Sequence, residues 1–193
     1  GKSSAVSKYI IDFENEKRNH QFKTEINWKE PTQNDNIFAK ASFARMQEEL
    51  DFFNDYLTKN RITNIKFRNW GKYSIIYETA LNISVFYFLG KPNKTITYDI
   101  LMSYLKPIQF NNPSAFSTSY YYRFIRAIST DFQAIVNVNP TFQNALKEVG
   151  NNRLLFGINK LDQYTSGISK QLLYYFLFKA YEGRPEFSQH FEN

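Results

Sequence analysis

Tyr73 to Leu89 reads YSIIYETALNISVFYFL, a stretch that is apolar on every side of a helix and carries one charge, Glu78. A helix that is apolar all round belongs inside a domain rather than on its surface. Its longest apolar run, Ile75 to Leu89, is interrupted by Glu78 and Asn82. The run is also shorter than the ~20 residues a membrane span needs. The reading is therefore a central buried helix, stopped by Gly90 and Pro92, with the rest of the chain wrapped around it.

Working outward, Phe43, Met46, Leu50, Phe53 and Leu57 recur at steps of three and four and make one apolar stripe. Asp35 or Asn36 can cap this helix and Asn60 can end it. Downstream, Thr95 or Thr97 opens a short helix with Ile100, Leu101, Tyr104 and Leu105, closed by Pro107. Asn112-Pro113 starts the next, since proline fits the first helical position. That helix is expected to reach about Val136, with Phe116, Tyr120, Phe124, Ile128 and Phe132 pointing inward. Asn139-Pro140 starts another, ended by Gly150. Leu154, Ile158 and Leu161 form a weaker stripe, and Ser166 can cap a last helix through Leu172, Leu173, Phe176 and Ala180 to Gly183.

The first 34 residues read differently. Tyr9, Ile11 and Phe13 fall on one face of an extended strand, and Phe22, Ile26 and Trp28 on another, with the polar run Glu14 to His20 between them. The expected fold class is mainly α: a single-domain bundle of about six or seven helices over residues 35–183. An extended or hairpin N-terminal arm precedes it over 1–34, and a tail follows over 184–193. No internal repeat or low-complexity tract is present.

Charge supplies the functional clue. The chain has a formal net charge of +6. Residues 61–130 hold nine Lys and Arg against two acids, Glu78 and Asp99, while the flanking thirds are balanced to within one charge. A local basic field among aromatics attracts polyanions or an acidic protein surface. The aromatic richness itself also follows from AT-rich coding, as does the preference for Lys over Arg.

Two segments carry the field. Arg61, Lys66, Arg68, Trp70 and Lys72 fall between the two strongest helices, in what reads as an exposed connection or a turn through Asn69, Trp70 and Gly71. Cations interleaved with aromatics suit a single-stranded nucleic acid. Alternatively, Phe67 and Trp70 anchor that connection in the core. The second segment is the outward face of the 113–136 helix, where Ser119, Tyr122, Arg123, Arg126, Thr130 and Gln133 recur at helical steps. Two guanidiniums beside a phenol suit a phosphate with a base stacked on the ring. The bland reading of both is a solvated face, which is what a charge cluster usually is.

Other signals exclude more than they propose. With no cysteine, disulfides, thiolate metal sites and cysteine nucleophiles are absent. His20 and His190 have no ligand-spaced partner. Gly1-Lys2-Ser3-Ser4 lacks the upstream glycine and strand of a phosphate loop. Glu48, Asp51 and Asp55 line one helix face, where a solvated role or contact with the basic third of another copy is expected, not metal binding. Phe187 and Phe191 in the tail dock on the core or reach a neighbour. The acceptor sequence Asn82-Ile83-Ser84 lies in the apolar helix; Asn93-Lys94-Thr95 lies in a turn. Helix-turn-helix spacing and the aromatic motifs of sheet-based RNA modules are missing.

The leading expectation is a non-catalytic, sequence-independent nucleic-acid-binding protein of nucleoprotein, coat-like or replication accessory type, favouring a single strand. It grips the backbone with Arg61, Lys66, Arg68, Lys72, Arg123 and Arg126 and stacks bases on Trp70 and Tyr122. The alternative is a structural or adaptor subunit of a protein assembly. Its basic region would meet acidic protein surface, and its arms would lock neighbours into a homo-oligomer. A carboxylate-only enzyme ranks third. No cofactor or metal is expected. The compartment is left open, with an intracellular location favoured.

Overall fold

The computed structural model describes residues 4–26, 36–89, 98–131, 140–148, 150 and 153–182. Those residues form eight α-helices and no strand. The helices are α1 (Ala5–Asn19), α2 (Asn36–Lys59), α3 (Ile65–Leu89), α4 (Tyr98–Tyr104), α5 (Ser119–Arg126), α6 (Pro140–Glu148), α7 (Arg153–Asp162) and α8 (Gly167–Tyr181). A 3-10 segment, Pro113–Ser117, precedes α5, and a π-helical turn, Ala127–Asp131, follows it. The protein is mainly α.

The central helix is where the sequence puts it, and it is longer than expected. It begins at Ile65 and not near Tyr73, because Asn64 caps it: Asn64 Oδ1 accepts from the Lys66 and Phe67 amides at 3.0 and 3.1 Å. Its two halves serve two apolar clusters. The first half, through Phe67 and Ile75, packs with Phe13 of α1 and with Phe53, Tyr56 and Leu57 of α2. The second half, through Tyr77, Ala80, Leu81, Ile83, Phe86 and Tyr87, packs with α4, α5, α7 and α8. Gly71 lies mid-helix, not in a turn. It lets α2 approach α3 so closely that a Cβ there would overlap the Phe53 ring. Ser84 is fully buried and bonds the Ala80 carbonyl, so the sequon that contains it is closed off.

The expected strand or hairpin at the N-terminus is corrected: residues 5–19 are helix α1. Ser4 caps it, its Oγ accepting from the Ser7 amide at 3.2 Å. The alternation of Tyr9, Ile11 and Phe13 is incidental. The side chains that pack inward are Val6, Tyr9, Ile10 and Phe13, at steps of three, one and three, while Ile11 is 58% exposed. In so short a run the two periods overlap, and the three-four step prevails because α2 and α3 offer an apolar groove. Residues 20–26 then run without helix, with Phe22 and Ile26 half-buried. Trp28 and residues 27–35 lie outside the described residues, as do the caps and stops expected at Asp35, Gly90, Pro92, Thr95, Thr97 and Gly183.

The single helix expected over 113–136 is three pieces. Asn112 and Pro113 start a helix as expected, but a 3-10 one. Thr118 is extended and caps α5 anew, its hydroxyl accepting from the Tyr120 amide. This break shifts the inward face to Tyr121, Phe124, Ile125 and Ile128, all fully buried. Phe132 and Val136 fall outside the described residues. Gly150 follows α6 as expected. Ser166 does occupy the cap position of α8 but makes no side-chain cap bond. The cap comes from Asn111, whose Oδ1 accepts from the Ile168 amide at 3.2 Å against Gly167, at φ +55°.

Candidate nucleic-acid interface

The first basic segment is helix, not loop. Only residues 60–64 connect α2 to α3. The α2 carbonyls are closed by two bonds, Arg61 N to Thr58 O (3.1 Å) and Ile62 N to Leu57 O (2.9 Å). This closure puts Arg61 in the left-handed region, φ +51°. Arg61 and Arg68 then line one cleft of about 280 Å³, with Asn54, Thr58 and Thr63. Lys72 follows Arg68 by one turn, about 40° round the helix. Its ammonium lies 5.6 Å from the Tyr73 ring centroid. Lys66 is exposed but lies about 160° round from Arg68, on the other flank of α3.

Trp70 is not the exposed platform the sequence suggests. It is half-buried, stacked on Phe67 at 5.7 Å and edge-on to Phe13 at 6.4 Å. Phe67 itself is completely buried. Of the two alternatives for this pair, the core anchor is the one the packing realises.

The second segment keeps its outward face over α5. Tyr122 is 38% exposed and stacks on Phe116, centroids 5.5 Å apart. Arg123 and Arg126 are exposed beside it, and the Arg123 guanidinium lies 5.6 Å from the Tyr120 ring. Ser119 is also exposed, whereas the Thr130 side chain and Gln133 fall outside the described residues. Among the described residues no carboxylate comes within 4.0 Å of Arg61, Lys66, Arg68, Lys72 or Arg123.

The two segments meet along α3. Ser74 Oγ donates to Thr118 Oγ1 at 2.9 Å, and Tyr120 donates to Glu78 Oε1 at 3.1 Å. Arg68 and Glu78 are ten residues apart, about 15 Å along the helix. Glu78 belongs to a charge network that no local spacing announces. Lys17 of α1 pairs with Glu49 at 2.7 Å and Glu78 at 3.4 Å, and Arg45 pairs with Glu49 at 2.9 Å. Burial alone would lower the Lys17 pKa, but Glu49 and Glu78 outweigh it and the net shift is upward. Burial, and then Glu78, push the Tyr120 phenol up, which keeps it a donor.

The acidic strip is partly spent inside the chain. Glu48 accepts from the Lys23 and Thr24 amides (2.8 and 3.2 Å) and from the Thr24 hydroxyl (2.7 Å). The hydroxyl bond leads the causes that hold its carboxyl below the ordinary value. Asp51 accepts from Gln47 at 2.8 Å, and Asp55 is exposed. With His20, Phe22 and Phe52 these acids line a groove of about 330 Å³. The Arg45 guanidinium already covers the Phe22 ring at 3.7 Å. Phe187, Phe191 and His190 lie outside the described residues. A basic cleft the sequence did not flag, of about 630 Å³, lies between α2 and the end of α4, with Lys40, Lys106, Phe43 and Tyr104 in its lining. Lys40 and Lys106 meet only through the tertiary fold.

Among the described residues there is no group of three His, Asp or Glu placed to hold a metal ion. No described helix is long and apolar enough to cross a membrane. No protein-family model matches the chain, and neither a curated protein nor a solved structure matches it.

Proposed function

We propose that this helical protein binds nucleic acid without catalysis and without sequence preference, gripping the phosphate backbone of a single strand. One observation carries the reading. Arg61, Lys66, Arg68, Lys72 and Arg123 are exposed, and among the described residues no carboxylate lies within 4.0 Å of any of them. An exposed tyrosine, Tyr122, stands beside Arg123 and Arg126 to stack a base. Trp70 is a weaker platform, since it is half-buried and packs on both Phe67 and Phe13. Arg61, Arg68 and Lys72 stand by the first half of α3, and Arg123 and Arg126 on α5, which is bonded to α3 through Ser74 and Glu78.

Salt dependence tests this. With about four phosphates neutralised, affinity for oligo(dT) falls roughly fifty-fold between 50 and 200 mM salt. An affinity indifferent to salt in a filter-binding titration rejects the reading. Assembly of the pure protein in light scattering, with no nucleic acid present and none retained by it, supports the structural or adaptor subunit instead.

A further inference from the structure

The geometry points to a discrete oxyanion site in the cleft between the end of α2 and the start of α3, taking one phosphoryl group between Arg61 and Arg68. Arg61 and Arg68 line the cleft together with Asn54, Thr58 and Thr63, over the apolar Leu57 and Ile62. Guanidiniums suit this chemistry because they offer forked donors that match the oxygens of a phosphate. The Thr63 hydroxyl and the Asn54 carboxamide offer further donors, while the Thr58 hydroxyl is spent on the Asn54 carbonyl at 2.9 Å. No carboxylate among the described residues competes for either arginine.

The backbone gives the second observation. Arg61 is the one described non-glycine residue with positive φ. It occupies the position after a helix where glycine is favoured, because a Cβ there crowds the following carbonyl. The closing bonds from Arg61 N and Ile62 N would form equally well with glycine, and Ile62 is buried beside Leu57 whatever stands at 61. The two closing bonds thus need neither the Cβ nor the guanidinium of residue 61, which is exposed, and a cation near the α2 C-terminus is a small effect at an exposed site. A residue that breaks the local rule without a packing return marks a functional position. What the arginine adds is a forked donor at the cleft whose lining it shares with Arg68.

Arg61 and Arg68 also serve the nucleic-acid reading, so the cleft rests on that reading where the phosphate is a backbone one; a free phosphate is the other source. The test uses the full chain with two probes, inorganic phosphate followed by 31P NMR and oligo(dT) followed by fluorescence anisotropy. Arg61→Gly and Arg68→Gln are compared with Lys106→Gln, which lies in another cleft. The expected result is saturable phosphate binding, with a Kd in the millimolar range, weakened about ten-fold or more by either arginine change and less than two-fold by Lys106→Gln. Arg61→Gly leaves the melting temperature unchanged or raises it by about 2 °C, because strain is relieved. The assignment is overturned if phosphate does not saturate by about 50 mM, or if neither arginine change alters its binding. It is overturned equally if Arg61→Gly lowers the melting temperature in step with binding. If phosphate binding follows both arginines and oligo(dT) does not bind, the cleft stands, its ligand is a free phosphate, and the nucleic-acid reading fails. If oligo(dT) binds and neither arginine change alters phosphate or oligo(dT) affinity, the cleft fails and the nucleic-acid reading stands only on the other cations, Lys66, Lys72, Arg123 and Arg126.

Discussion

The Lys17 ammonium lies 2.7 Å from the Glu49 carboxylate, which fastens α1 to α2, and its second partner, Glu78, fastens both to α3. The Lys17 and Glu49 side chains are only 18% and 15% exposed. Removing the cation leaves Glu49 with Arg45 alone and Glu78 with the Tyr120 hydroxyl, so two neighbouring carboxylates lose the counter-charge they share. Lys17→Ala is expected to destabilise the fold by about 2 kcal/mol, less than for a fully buried pair, read from the midpoint of urea unfolding. Its folded pKa is raised, so the contribution is full below the ordinary value of 10.5 and is lost as pH climbs past it. The gap between wild type and Lys17→Met should therefore shrink in strongly alkaline buffer; a gap constant with pH refutes the role of the charge.

Glu48 holds residues 23 and 24 against α2 through three bonds. Glu48→Ala should expose the Lys23 and Thr24 amides to faster hydrogen exchange while α3 amides keep their protection. Its carboxyl sits below the ordinary value of 4.5. The stabilisation it gives is therefore present above that pH and is lost as pH falls through the lowered value. Exchange at those two amides should quicken on acidification in wild type relative to the intrinsic rate, and not in the variant.

Gly71 meets the Phe53 ring where α2 and α3 approach most closely. Phe53 is buried, with its ring against Phe13 and Phe67. Gly71→Ala is expected to cost about 3 kcal/mol by overpacking, despite the better helix propensity of alanine. A variant as stable as wild type in thermal denaturation would contradict the close approach.

Tyr122 and Trp70 should separate cleanly. Tyr122→Ala is predicted to weaken oligo(dT) binding by about 1–3 kcal/mol with little change in stability. Trp70→Ala removes a ring packed on Phe67 and Phe13 and should cost about 2 kcal/mol of folding stability. Paired anisotropy and unfolding measurements that show the reverse order would move the stacking platform to the indole.

The helical class, the central apolar helix and the α2 stripe were readable because each rests on a period repeated over several turns, where local pattern and burial agree. The start of α3 was not. Phe67 and Trp70 look the same whether they stack on a ligand or on Phe13, and Phe13 is far away in sequence. The α1 helix was misread because Tyr9, Ile11 and Phe13 satisfy a strand period over three residues. The break at Thr118 escaped because one capping hydroxyl, bonded to the distant Ser74, overrode an otherwise continuous stripe of aromatics.

By itself the sequence determined that this chain is mainly α and that its cations outnumber its acids in the middle third. Composition and periodicity are properties of neighbouring residues and need no partner across space. Only the tertiary structure decided which charges are spent and which remain. Lys17, Arg45, Glu48, Glu49 and Glu78 find one another through three-dimensional packing, while Arg61 and Arg68 are left facing a cleft. Pairing depends on which helix faces touch, and that is fixed by the fit of side chains such as Phe53 against Gly71, which no local pattern encodes.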